Sequence, residues 1–150
     1  MVMRQIAFYL FLALTSLVYG QDKVNFLSEN NSGFISLRVV AYGKKSKDAV
    51  MNAELFAIQT ILFRGVPGSN QVEYPLIGTD EKTIIEKHSD YFRQFFKQER
   101  FRTFIISNVP VSKFGKDVTG KKCITTDVKV NLRSLRLDLE GSGIIRKFGF

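Results

Sequence analysis

Apolar and polar positions alternate with period two over residues 34–42, where Ile35, Leu37, Val39 and Ala41 share one face. Such alternation predicts a half-buried strand. Gly43-Lys44-Lys45 predicts a turn, and Ser46 as a helix cap with Asp48 at the positive end of the dipole predicts a helix to about Arg64, stopped by Gly65 and Pro67. Ala49, Ala53 and Ala57 repeat every four residues, giving a narrow stripe that can approach a sheet closely, and Val50, Phe56, Ile61 and Leu62 widen the buried face. Residues 66–78 read as a loop with an extended piece at 71–77, which Pro75 keeps out of a sheet centre. A second helix starts near Thr79 or Asp80. In it Ile84, Ile85, His88, Tyr91, Phe92, Phe95 and Phe96 recur at steps of three and four, which predicts one buried face.

Residues 101–109 and 123–130 read as strands joined by a polar loop rich in Gly and Lys. Beyond Val130 two readings compete. A strand needs a bulge to keep Leu132 on one face with Leu135, Leu137 and Leu139, whereas a short helix capped by Asn131 and ended by Gly141 aligns Leu132, Leu135 and Leu139 without one. The helix is the preferred reading. Residues 144–150 form an extended basic and aromatic tail, and residues 21–33 a polar leader. The expected fold class is α+β, a small mainly antiparallel sheet with two main helices packed on one face. Its order is strand, helix, helix, strand, strand, short helix, tail, within one domain over residues 34–150.

The first twenty residues change the picture from fold to address. A basic start, an apolar run over residues 6–14 and a small residue, Gly20, before polar Gln21 have the layout of a secretory signal peptide. The apolar run is shorter than the roughly 20 residues of a membrane span. Cleavage near Gly20 leaves 130 of the 150 residues, enough for one core. The full chain carries a net charge of +8, and loss of Arg4 with the signal lowers it by one to +7. That surplus favours anionic partners without choosing among them. Cys123 is the only cysteine, so no internal disulfide can form, which points to a bacterial periplasm or cell surface. The Asn30-Asn31-Ser32 triplet fits a glycosylation acceptor, a pattern too common to carry weight.

Candidate chemistry is sparse. Gly115-Lys116-Asp117-Val118-Thr119-Gly120-Lys121-Lys122 nearly spells a phosphate-binding loop, but Lys122 stands where Ser or Thr should hold magnesium, and a strand follows where a helix is needed. His88 is the only histidine and reads as a packed residue. Paired with Cys123 it would be a nucleophile and base on a thin warrant, since free cysteines are usually buried and inert. Asp80 with Glu81 and Asp138 with Glu140 are carboxylate pairs by nearness in sequence only. Residues 91–102 interleave aromatics with cations as single-strand nucleic-acid binders do, yet the helical phase assigns Phe92, Phe95 and Phe96 to the core, which argues against nucleic acid.

The strand at 34–42 followed by the helix opening Asp48-Ala49 and running through Ala53 and Ala57 resembles small exported bacterial envelope domains. It is similar in layout to the N-terminal domain of the flagellar T-protein and to related outer-membrane lipoproteins, over roughly residues 34–64. The chain departs from them in lacking a lipidation cysteine and a further domain. The resemblance implies a non-enzymatic assembly or accessory part, with no catalytic residue to carry over. The combined expectation is an exported binding or assembly module of a bacterial envelope, with no catalytic, cofactor or metal site. It would act on an envelope protein partner or by self-association. Its candidate contact residues are Lys113, Lys116, Lys121 and Lys122 in the basic loop and Ile144, Arg146, Lys147, Phe148 and Phe150 in the tail. Two alternatives stay open: a small exported hydrolase, and a binder of an anionic polymer, membrane surface or glycan through the basic charge.

Overall fold

The computed structural model describes residues 23–147. The signal segment expected at residues 1–20 lies outside them, as do Phe148 and Phe150. Strand β1 (Lys23–Glu29) is followed by β2 (Phe34–Tyr42), and helix α1 (Ser46–Gln59) runs on into a wider π-turn, Thr60–Arg64. Helices α2 (Glu81–Lys87) and α3 (Ser89–Phe92) come next, α3 continuing into a second π-turn, Arg93–Lys97, and then a 3-10 turn, Arg100–Phe104. Strands β3 (Ile105–Pro110), β4 (Gly115–Lys116) and β5 (Lys122–Asn131) and helix α4 (Leu132–Gly141) complete the chain. The sheet is antiparallel throughout, in the order β1-β2-β5-β3, with β4 also paired to β5. This is the α+β class expected, an open sheet with its helices on one face.

The alternation in β2 does what its pattern predicts. Ile35, Leu37, Val39 and Ala41 are fully buried, as are Ala49, Ala53 and Ala57 of α1, whose small side chains let the helix axis lie close on the sheet. Val128 and Val130 of β5 join them, and Leu132, Leu135 and Leu139 of α4 close one end of the same core. The other face of the sheet is open to solvent. It carries Arg38 and Asp127, joined by two hydrogen bonds of 2.8 and 2.9 Å, and Lys129 over the Phe34 ring. One apolar face and one polar face is the arrangement that antiparallel sheets permit.

Several expectations need correction. Residues 23–29, read as part of a polar leader, form β1, which pairs with β2 across a bulge between Phe26 and Ser28. Glu29 anchors this edge to the 66–72 loop, accepting from Ser69 Oγ at 2.6 Å and Asn70 N at 2.7 Å. Ser46 does not cap α1; Lys45 is the flanking residue and no side chain caps the helix. The second helix is not continuous. It breaks at His88 (φ −118°, ψ 42°) and widens into a π-turn at Arg93. Residues 101–104 are a 3-10 turn rather than strand, entered through Glu99 in the left-handed region (φ 57°), and Phe101 and Phe104 are buried at the three-residue spacing of that turn. The tail is not extended from its start. Ile144 and Ile145 donate from their backbone nitrogens to the Leu139 carbonyl and pack against the core.

Other readings agree with the structure. Asp80 caps α2, accepting from Thr83 N at 3.2 Å, and Asn131 caps α4, accepting from Ser134 N at 3.0 Å. The extended piece expected at 71–77, by contrast, is not formed: these residues make no strand, and Leu76 N and Ile77 N donate to the Ile61 and Leu62 carbonyls.

Candidate functional site

The near-phosphate loop is a hairpin. β4 pairs Gly115 with Cys123 and Lys116 with Lys122, so the segment runs into a strand and does not open a helix as the phosphate-binding motif does. Asp117 holds the turn: its carboxylate accepts from Thr119 N (2.8 Å), Thr119 Oγ1 (2.6 Å), Lys121 N (3.1 Å) and Tyr42 Oη (2.9 Å). The Thr119 hydroxyl, ahead of the Tyr42 hydroxyl and the backbone donors, draws the Asp117 carboxyl down to about 2 from its ordinary 3.8. A depressed carboxylate supports its structure above its ordinary pKa and loses that support as pH falls through the folded value. The turn is therefore expected to stay ordered at about pH 4 and to loosen only as pH nears 2, with Asp117→Asn abolishing this transition. Amide exchange at Thr119 and Lys121 followed against pH checks it, and loosening already complete at about pH 4 would refute it.

On the other side of β5, Gly43 N donates to the Lys122 carbonyl at 3.2 Å. A Cβ at Gly43 would come within 2.5 Å of the Ala49 backbone nitrogen, so the start of α1 rests directly on this turn. Asn52 Nδ2 adds a 2.7 Å bond to the Tyr42 carbonyl. The lysine-rich β2–α1 turn and the lysine-rich hairpin are thereby locked together at one end of the sheet. Lys44, Lys45, Lys47, Lys113, Lys116, Lys121 and Lys122 are all exposed there, and Tyr42, Gly43, Lys44, Lys121 and Lys122 line a shallow cavity of about 460 Å³. The sequence places two acids in these segments, Asp48 and Asp117, and Asp117 is engaged in its own turn. Seven lysines against two carboxylates make this the basic pole of the molecule.

The pole unites the four loop lysines read from the sequence with three that were not singled out, Lys44, Lys45 and Lys47. Of the described tail residues, Ile144 packs against the core after α4, and Arg146 and Lys147 are exposed.

A second polar feature was also missed. Glu54 of α1, 6% exposed, accepts from Arg102 Nε at 2.8 Å and Asn108 Nδ2 at 3.2 Å, at the base of a cleft of about 560 Å³ that Glu99 and Ser107 also line. Its signal was a carboxylate beside the alanine stripe.

The remaining candidates do not converge. Cys123 sits on the open face of the sheet, its thiol pushed up by burial and by the charge of Asp117, whereas His88 lies in the helical layer between α2 and α3. Asp80 is engaged as a helix cap. Asp138 accepts from Tyr91 Oη at 2.6 Å and from both Arg100 terminal nitrogens at 2.9 and 3.0 Å. Burial works to raise its carboxyl, but these bonds prevail and hold it below the ordinary range. Phe92, Phe95 and Phe101 are buried, and Arg100 stacks over Tyr91 and Phe95, so these three rings are not offered to nucleic-acid bases. Among the described residues, no three His, Cys, Asp or Glu side chains come together to share a metal ion, and no helix is long and apolar enough to cross a membrane. No family model, curated protein or solved structure matches the chain.

Proposed function

We propose that this chain is an exported, non-enzymatic binding module of a bacterial envelope that holds an acidic partner protein against its lysine pole. The observation that carries the reading is the convergence of two lysine-rich segments on one cavity, fixed by the Gly43–Lys122 bond and the Asp117 turn. Export rests on the signal-like residues 1–20 and on the single cysteine. An assembly or accessory part is also what the likeness of residues 34–64 to envelope domains implies.

The pole is tested with the chain lacking residues 1–20 and fluorescent poly-L-glutamate as an acidic polypeptide probe. Replacing Lys113, Lys116, Lys121 and Lys122 with Gln removes four exposed charges. At a few tenths of a kcal/mol each, their loss weakens binding about tenfold near physiological salt. The melting temperature should barely move, because the four side chains are exposed. Equal affinity for the variant and the parent would refute the proposal.

A further inference from the structure

We infer that the acidic partner enters as an extended strand, lengthening the sheet at the free edge of β3 with its apolar side chains on Val109 and Val111 and its carboxylates on Lys113 and Lys116. The inference rests on the binding reading above and adds the mode of engagement.

β5 is flanked by β2 on one side and by β3 and β4 on the other, and no strand among the described residues pairs beyond β3. The opposite edge, β1, is bulged at Leu27 and tied down at its end, where Gln71 Nε2 donates to the Asn30 carbonyl. Among the described residues, no such bond ties the backbone of β3 on its outer side. Val111 N donates to the Thr125 carbonyl, so by antiparallel alternation the backbone groups of Val109 also face β5 and those of Asn108 and Pro110 face outward. Pro110 thus costs the ladder no bond, as befits an edge. Outward, Asn108 offers both a donor and an acceptor, and Pro110 an acceptor.

The side chains along this edge fall into two blocks. Ile106, Val109 and Val111 are 50, 55 and 47% exposed, an unusual run of large apolar groups on an edge strand. Val109 pairs with Asp127 and so points to the open face of the sheet, and Val111, two residues on, follows it. Lys113 and Lys116 come next, both exposed, where the edge runs into the basic pole. A strand with an apolar stretch followed along its length by an acidic stretch satisfies both blocks, with backbone bonds supplying affinity and charge supplying direction. A second copy of this chain fits less well. It brings the same positive surplus, +8 in the full sequence, and its own Pro110, which lacks the N–H a partner strand would donate.

The test uses the same chain lacking residues 1–20 and a synthetic peptide with a Val-Thr-Val stretch at one end and a Glu-Glu-Glu stretch at the other. A version of the peptide N-methylated at alternate amides keeps every side chain and charge but cannot form a ladder. The unmodified peptide is expected to bind about tenfold more tightly than the methylated one, and to slow hydrogen exchange at the Asn108 amide about tenfold when saturating. Equal binding of the two peptides, with poly-L-glutamate still bound, overturns strand addition and leaves the acidic-partner reading standing. Failure of both peptides and of poly-L-glutamate overturns both. Preference for phosphatidylglycerol vesicles or a single-stranded oligonucleotide over the unmodified peptide also overturns the inference, in favour of an anionic surface or polymer.

Discussion

Phe95→Ala is expected to destabilise the fold by about 3–5 kcal/mol, the range for deleting a buried aromatic ring. Phe95 is fully buried and stands at the centre of the aromatic segment. Its ring lies 5.4 Å from Tyr91, 6.1 Å from Phe92, 5.1 Å from Phe96, 6.3 Å from Phe101 and 6.0 Å from Phe104 between centroids, and Arg100 stacks over it. Removing it leaves a cavity beneath both π-turn and 3-10 turn, the segments with the least regular backbone support. The loss is a large part of the roughly 5–15 kcal/mol that holds a domain folded, and lowers the melting temperature by some 10–20 °C. Leu137→Ala, on the exposed face of α4, serves as the control and should stay within about 0.5 kcal/mol. Urea denaturation of the two variants reads the difference directly. A loss below about 1 kcal/mol at Phe95 would mean that the ring cluster does not organise this end of the core.

Gly65→Ala is the second large effect. Gly65 follows the first π-turn with φ 82° and ψ 164°, a region open almost only to glycine, and a Cβ there would lie 2.3 Å from the Glu73 carbonyl oxygen. The obstacle is backbone, which cannot swing aside as a side chain would. Around it, Gly65 N bonds the Thr60 carbonyl at 2.8 Å and Val66 N bonds the Val72 carbonyl at 2.7 Å, so relieving the clash breaks the junction between helix and loop. Conformational strain of about 1–3 kcal/mol and the clash together should cost at least about 3 kcal/mol. Circular dichroism melts check this. A variant as stable as the parent would show that the 65–75 loop can reorganise freely.

The parts of the fold legible in the sequence are those where one face decides burial. Ile35, Leu37, Val39 and Ala41 alternate along one strand, Ala49, Ala53 and Ala57 repeat every four residues along one helix, and all seven are fully buried. Helix α4 was legible because Asn131 and the leucine spacing speak for the same structure. Where two neighbours compete, local pattern fails. β1 hides because its bulge at Leu27 breaks the alternation of Val24 and Phe26, and its remaining residues are polar. The break at His88 and the π-turn after Phe92 interrupt a run whose apolar spacing of three and four reads as one continuous helix.

The site was half legible for a similar reason. Lys113, Lys116, Lys121 and Lys122 stand close in sequence, but Lys44, Lys45 and Lys47 join them only through the register that sets Tyr42 against Cys123. The cleft at Glu54 depends in the same way on β3 bringing Asn108 beneath α1. Sequence contrasts such as an acid beside an apolar stripe flag such places without saying what meets there.

The lysine pole is the surface proposed to meet an acidic partner in the cell. Zero-length carbodiimide cross-linking in the intact envelope, followed by mapping of the linked residues, tests it most directly, because the reagent joins only lysines already in contact with carboxylates. Intermolecular links are expected to concentrate at Lys44, Lys45, Lys47, Lys113, Lys116, Lys121 and Lys122. Links that avoid these seven and fall instead on Lys82, Lys87 or Lys97 of the helical layer would contradict it.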